Sequence, residues 1–339
     1  MNDTMKDLVR QLTAVQGPSG YEGLVRDVIR TQVEPLADVV RVDRLGNLHA
    51  VVRGQGSGLR VMVAAHMDEI GLMVTHVDEK GFARFTHVGD LWVATLVGNR
   101  FVFPNGAVGV VNVEKYEKRP RVENFDKLYM DLGASNGASC PVRVGDVATF
   151  DRSFLDLGAR WVSKAMDDRL GCSILIEVMR RVGNQTPHEI HFVFTVQEEL
   201  ASQGAMTSAF SIQPDLSIAL DVTGSGDLPG ATPFPVVLGK GPVVRVSDRT
   251  TLVHPGVKGW MTRTAEAKGI PYQLEVIVGL ASDAEKMQRS GAGSAVGVLS
   301  VPCRHLHTPS EMVDVDDVEH TVELMVALLA GLVDLERVG

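Results

Sequence analysis

The stretch Asp168-Arg-Leu-Gly-Cys-Ser-Ile-Leu-Ile-Glu-Val-Met-Arg-Arg-Val182, followed by Ile190-His-Phe-Val-Phe-Thr-Val196, decides the fold of this chain. It reads as a helix leading into a strand that is apolar along nearly its whole length. A continuous apolar strand is covered on both faces, as in parallel sheets, whereas a half-solvated strand alternates. The pattern continues outward through a strand at 216–221, a helix near 258–268, a strand at 272–278, a further helix and a strand at 295–301. A terminal helix comes last, with Val322, Met325, Val326, Leu329 and Val333 inward. Together these segments predict an α/β domain with a mostly parallel central sheet covered by helices.

Working back toward the start, Met5, Leu8, Val9 and Leu12 form the stripe of a first helix stopped by Gly17-Pro18, and Leu24, Val25, Val28 and Ile29 form the face of a second. A hairpin around Leu45-Gly46-Asn47 and a strand at 59–65 come next. From 72 to 150 the texture changes to short apolar runs (72–77, 82–88, 100–103, 108–113 and 142–150) separated by Gly, Asn, Asp and Pro, the pattern of a small all-β unit. The expected organisation is a first part of the α/β domain at 1–71, an inserted β-barrel-like domain at 72–158, and the second part at 159–339.

Composition narrows the function. Hydrophobic residues at 45% and charged residues at 22% are ordinary for a globular protein. A net charge of −9 argues against nucleic acid, whose phosphates are neutralised by Lys and Arg. Cys140, Cys172 and Cys303 are odd in number and scattered, so they predict neither a disulfide framework nor a zinc-finger spacing. The segment MNDTMKDLVRQL lacks the pattern of a signal peptide, and no apolar run is long enough for a membrane helix, which makes the cytoplasm the expected location and excludes a membrane partner.

Ligands of open α/β sheets bind outside the carboxyl ends of the strands. The strand Leu59-Arg-Val-Met-Val-Ala-Ala65 ends in His66-Met67-Asp68-Glu69, and residues two apart on a strand face the same way. Asp68 is placed to orient His66, as a carboxylate commonly orients a metal-binding imidazole. Asp167-Asp168 opens the next helix, where one Asp can cap while the other binds a metal. The strand at 190–196 ends in Gln197-Glu198-Glu199, and the strand at 216–221 ends in Asp221. The strand at 295–301 leads to His305 and His307. Each of these has an ordinary reading as a cap, a turn or an exposed loop. Jointly they place imidazoles and carboxylates at one sheet edge, a ligand set for two zinc-like ions.

These residues resemble the tetrahedral (TET) and glutamyl aminopeptidase family of dinuclear metallopeptidases, over nearly the whole chain. The likeness rests on Gly20-Tyr21-Glu22, Ala65-His-Met-Asp-Glu-Ile-Gly71, Met130-Asp-Leu-Gly-Ala134, Lys164-Ala-Met-Asp-Asp-Arg169, Val196-Gln-Glu-Glu199, Asp221 and Arg304-His-Leu-His-Thr-Pro309. The resemblance implies a zinc-exopeptidase-like fold, with His66, Asp167 and Asp221 on one metal and Asp167, Glu199 and His307 on the other. It further implies that Glu198 is the general base, that Asp68 orients His66, and that short peptides are the substrates. The two divalent ions would be zinc first, with cobalt or manganese as alternatives. The β insertion would form a dimer that builds a dodecamer. Two stretches depart from the family pattern: Gln203 stands where it has Arg, and Leu280-Ala281-Ser282 stands where it has Gly-Gly-Thr. Rival readings are a deacylase using the same metal pair, a glycosidase using Glu198 and Glu199, and a metal-binding scaffold without turnover.

Overall fold

The computed structural model describes residues 3–56, 58–114, 124–230 and 235–333. An eleven-stranded sheet forms the larger unit, in the order Val39–Val42, Leu48–Arg53, Glu189–Thr195, Arg60–His66, Leu216–Gly224, Ala295–Arg304, Glu311–Asp314, Arg160–Ser163 and Leu155–Asp156. Val243–Ser247 and Gln273–Val276 branch from Ala295–Arg304.

The expectation of a mostly parallel sheet is corrected here. Parallel pairing joins the four central strands, from Glu189–Thr195 to Ala295–Arg304, and the branch pair. The flanking pairings are antiparallel. Short connections account for three of these, since antiparallel neighbours need only a tight turn, whereas the other three join strands far apart in sequence. Such a turn joins the first two strands, where the Asp43 carboxylate accepts the amides of Leu45, Gly46 and Asn47.

Period-two alternation divides the core into two layers. Val61, Val63 and Ala65 pack beneath helices Asp3–Ala14, Gly23–Val33, Met166–Val182, Pro255–Lys268 and Val315–Ala330. Met62 and Ala64 face the thinner layer, helices Gln203–Ile212 and Ala284–Arg289. Each fully buried aliphatic side chain here contributes about 1.5–3 kcal/mol. The first helix buries Met5, Leu8, Val9 and Leu12 as expected. The second buries Val25, Ile29 and Val33 but leaves Leu24 exposed, because its stripe continues by fours from Val25. The terminal helix also buries Leu324 and Leu328 and ends at Ala330, before Val333. Residues 334–339 lie outside the described residues.

Between Ile70 and Asp151 the chain forms a closed six-stranded barrel: Gly71–Val77, Ala83–Val88, Leu128–Asp131, Val108–Val113, Arg100–Val102 and Val147–Phe150. Its core holds Leu72, Phe85, Val111, Met130 and the Phe101–Phe150 pair, with ring centroids 4.4 Å apart. The strand Leu128–Asp131 was not among the expected runs. Residues 142–146 form the turn before the last strand rather than part of it. The three cysteines are free, with Cys172 and Cys303 buried and Cys140 half-buried. Among the described residues no helix is long and apolar enough to cross a membrane.

Candidate metal centre

The carboxyl ends of the central strands converge on one cluster. Asp167 sits between two imidazoles: Oδ1 is 2.9 Å from His66 Nε2, and Oδ2 is 3.2 Å from His307 Nε2. His307 Nε2 is also 3.6 Å from Glu199 Oε1. Donor atoms of His66, Asp167 and Glu199 lie within 4.8 Å of one another, and so do those of His66, Asp168 and Asp221. His305, two residues before His307, is exposed whereas His307 is half-buried. Both lie past the strand with left-handed φ, so it is the turn and not strand alternation that brings only one of the two histidines inward.

Neighbouring groups fix His66, Asp167, Asp168 and His307 in place. His66 Nδ1 is 3.1 Å from the Asp68 carbonyl and 3.5 Å from its carboxylate. Asp68 is fully buried and accepts from Ser19 Oγ and from the amides of Glu198 and Glu199. Asp168 accepts from the His66 and Gly171 amides, and a cis peptide joins it to Asp167. Glu311 holds the Asp167 amide with one oxygen and the His307 amide with the other. Ser202 Oγ donates to Glu198 Oε1 at 3.2 Å. From the barrel, Gly89 (φ +78°) passes Glu199, and Asp90 reaches the rim of the cavity.

Beneath the loop at 66–69 lies a buried ionic group. Lys164 Nζ donates to both oxygens of Glu69, at 2.9 and 2.7 Å. Arg169 is fully buried and donates to the carbonyls of Leu12, Val15, Gly17 and Met67. Satisfying so many donors offsets the cost of enclosing two cations and ties the first helix to the metal-site loop.

Backbone strain is concentrated in the same place. Ala165, Gln197, Ala201, Ser202, His305 and His307 all have φ between +53° and +72°, a region that costs a non-glycine residue about 1–3 kcal/mol. Apart from them, only Gln213 among the described non-glycine residues does so.

The electrostatics show a deficit of positive charge. Burial pushes Asp221 up to about 8, with Asp167 adding to it, and burial pushes Glu199 up to about 7. Glu311 is raised to about 8 by burial and by Asp167. Burial also holds Asp168 and Glu198 well above the ordinary carboxylate range. Burial alone would lower the two imidazoles, yet the carboxylates outweigh it, so His66 stays well above its usual value and His307 rises to about 10. Among the described residues no Lys or Arg forms an ion pair with Asp167, Glu198, Glu199 or Asp221. Imidazole nitrogens and carboxylate oxygens gathered without a Lys or Arg in ion-pair contact fit divalent cations, which reverse these shifts by favouring the ionised carboxylates.

A cavity of about 350 Å³ opens over the cluster, lined also by Val222, Arg249, Leu280, Ala281 and Leu306. Of the departing stretches, Leu280 and Ala281 therefore line the site. Gln203 folds its amide back onto the Leu200 carbonyl.

The M42 glutamyl aminopeptidase model matches residues 46–324. The chain belongs to that family. It is accordingly a peptidase of the aminopeptidase class. The lysyl aminopeptidase of Pyrococcus furiosus is 33% identical over 342 residues, covering 96% of this chain and 97% of its own. A solved aminopeptidase from the archaeon Desulfurococcus kamchatkensis superimposes with a TM-score of 0.92 at 34% identity, covering 96% of this chain and 94% of its own. The TET1 peptidase of Pyrococcus horikoshii, described as able to assemble into a tetrahedron or a large octahedral shell, matches with a TM-score of 0.85 at 31% identity. It covers 96% of this chain and 99% of its own.

Sequence reasoning pointed to His66, Glu199 and Asp221 because each follows an apolar run, and to Asp167 because it opens a helix. It named Asp168 beside Asp167 without assigning which of the two binds, and it missed Glu311 as part of the cluster and Asn47, Glu22 and Ser19 as its supports. Their partners lie up to 175 residues away, and only the spacing of Glu311 four residues after His307 offered a local signal.

Proposed function

We propose that this chain is a two-metal aminopeptidase that releases N-terminal residues from short peptides. His66, Asp167 and Asp221 hold one ion, and Asp167, Glu199 and His307 hold the other. The observation carrying the reading is the Asp167 carboxylate, which offers one oxygen toward each histidine. Asp168 is committed to two backbone amides, which leaves Asp167 as the bridging group.

When bound, the two ions activate water and stabilise the developing oxyanion of the peptide carbonyl. Glu198 borders the cavity and takes the proton of the attacking water, then delivers it to the departing amine. Ser202 holds one oxygen of this base, while Asp68 holds the backbone amides of Glu198 and Glu199 and keeps His66 oriented. A cavity of about 350 Å³ suits the first residues of a peptide rather than a folded protein. Mixed imidazole and carboxylate donors favour zinc, with cobalt or manganese as the alternatives to be tested.

An inserted domain at about 72–158 belongs to the same reading, with the barrel strands running from Gly71 to Phe150 and Leu155–Asp156 joining the larger sheet. So do a dimer-forming role for the barrel, leading to a dodecamer, and a cytoplasmic location. Its support is the exposed Trp92, Val108 and Val110 of the barrel and the assembly described for TET1. Peptides with free and blocked N-termini, assayed with and without chelator, test the chemistry. Chelator-sensitive release from free peptides alone is the expected result. Cleavage of blocked substrates would move the site to a deacylase.

A further inference from the structure

Four successive backbone amides enter the site, and each donates to a side-chain oxygen. Val196 donates to Asn47 Oδ1 at 3.0 Å, Gln197 to Glu22 Oε1 at 3.1 Å, Glu198 to Asp68 Oδ1 at 3.0 Å and Glu199 to Asp68 Oδ2 at 3.2 Å. The strand has ended at Thr195, so these amides, one buried and three half-buried, have left the ladder of the sheet and rely on side-chain acceptors. Gln197 turns at φ +56°, a conformation that surrounding contacts must enforce.

Glu22 stands out among these acceptors. It sits at the N-cap position of helix Gly23–Val33, yet its side chain makes no hydrogen bond to that helix. Its carboxylate, in a residue only 4% exposed, instead accepts from Gly20 and reaches 175 residues along the chain to Gln197. A capping carboxylate stabilises its own helix by accepting from the first turn. Glu22 does not, and burial beside Asp68 makes its placement costly, with burial and then Asp68 raising its pKa. The neighbouring Ser19 donates to Asp68 at 2.6 Å, so the segment at 17–22 serves the turn twice, through Glu22 itself and through Ser19 on Asp68.

We propose that Glu22 is a positioning residue. By holding the Gln197 amide it locks the turn that aims Glu198 and Glu199 into the centre. This role rests on the aminopeptidase reading for its kinetic consequence and on geometry alone for its structural one. An acceptor oxygen is what the position requires, and Glu22→Gln retains one whereas Glu22→Ala does not.

Two measurements test the assignment on the metal-loaded full chain. In hydrogen–deuterium exchange, Glu22→Ala is expected to speed exchange across residues 197–199 by about tenfold or more, with Glu22→Gln close to the parent. In peptide hydrolysis, Glu22→Ala is expected to lower kcat by about 10–100-fold with KM within about twofold and metal content unchanged, and Glu22→Gln to recover most of that rate. Unchanged exchange in Glu22→Ala would overturn the assignment whether or not the parent cleaves peptides, and so would Glu22→Gln failing as badly as Glu22→Ala. Loss of metal and thermal stability in step with kcat would also overturn it, by making Glu22 a folding residue. An inactive parent with faster exchange in Glu22→Ala would sink the aminopeptidase reading and leave the positioning role standing.

Discussion

Gly89 of the barrel lies so close to Glu199 that a β-carbon on it would sit 2.9 Å from Oε2 and 3.1 Å from the Glu199 Cβ. The barrel is thus more than an appendage, because its backbone forms one wall around a candidate metal ligand.

Gly89→Ala therefore carries two burdens, a left-handed φ of +78° and collisions with Glu199 and with Ile70 Cγ2 at 2.8 Å. Gly98, at φ +79° with nothing within 4 Å, supplies the control for the first burden alone. Each substitution should cost about 1–2 kcal/mol for the backbone. Only Gly89→Ala should also lose metal and lower kcat tenfold or more, on the order expected for a misplaced site group. Equal metal content in the two variants would show that Glu199 yields without consequence.

Glu198→Gln should keep its full metal complement and lose turnover by about 10²–10⁴-fold, the range associated with a general base. Metal analysis beside single-turnover kinetics decides it. Near-normal turnover would remove Glu198 from that role.

His307→Ala and Asp221→Ala are expected to lower metal occupancy, His307→Ala on the side of Glu199 and Asp221→Ala on the other. Two full equivalents in both variants would refute the ligand sets.

The chelated protein should lose stability as pH rises. Glu199, Asp221 and Glu311 have folded-state values of about 7, 8 and 8, above the ordinary carboxyl range of about 4. Between those limits the folded state holds more protons than the unfolded one, so the slope of stability with pH is negative. His66 and His307, raised above their usual value, contribute in the same direction as pH climbs past neutrality. Tm measured with chelator should fall from about pH 5 to 8, and metal should flatten or reverse the trend by favouring the ionised carboxylates. A chelated Tm that climbs over this window would contradict the charge balance described for the cluster.

Much of this architecture was legible along the chain. The run from Leu59 to His66 ends its apolar register on a histidine, and Phe192–Thr195 leads directly to the Gln197-Glu198-Glu199 turn. Periodicity marks such strand ends because burial on both faces leaves few polar residues until the sheet edge. The pairing direction of the outer strands was not legible, since it depends on which strands become neighbours. Leu128–Asp131 was hidden because a four-residue strand with exposed Asp131 carries little pattern. Glu22 stood out only for its family likeness and not for its work, because the Gln197 amide it serves is brought near only by folding. Which histidine turns inward likewise depends on the backbone of 304–307 rather than on composition.

The buried guanidinium of Arg169 has a bearing on how this protein can be cut and rejoined. Its acceptors at Leu12, Val15 and Gly17 belong to a segment more than 150 residues distant in sequence. A shortened form beginning after Gly20 would strip the guanidinium of these three carbonyls, leaving it Met67 and Glu69, and would also remove the hydroxyl of Ser19 from Asp68. The missing peptide, added back in trans, would restore those carbonyls together with the buried Met5, Leu8, Val9 and Leu12. The first twenty residues are thus a candidate half of a split enzyme whose activity reports reassembly.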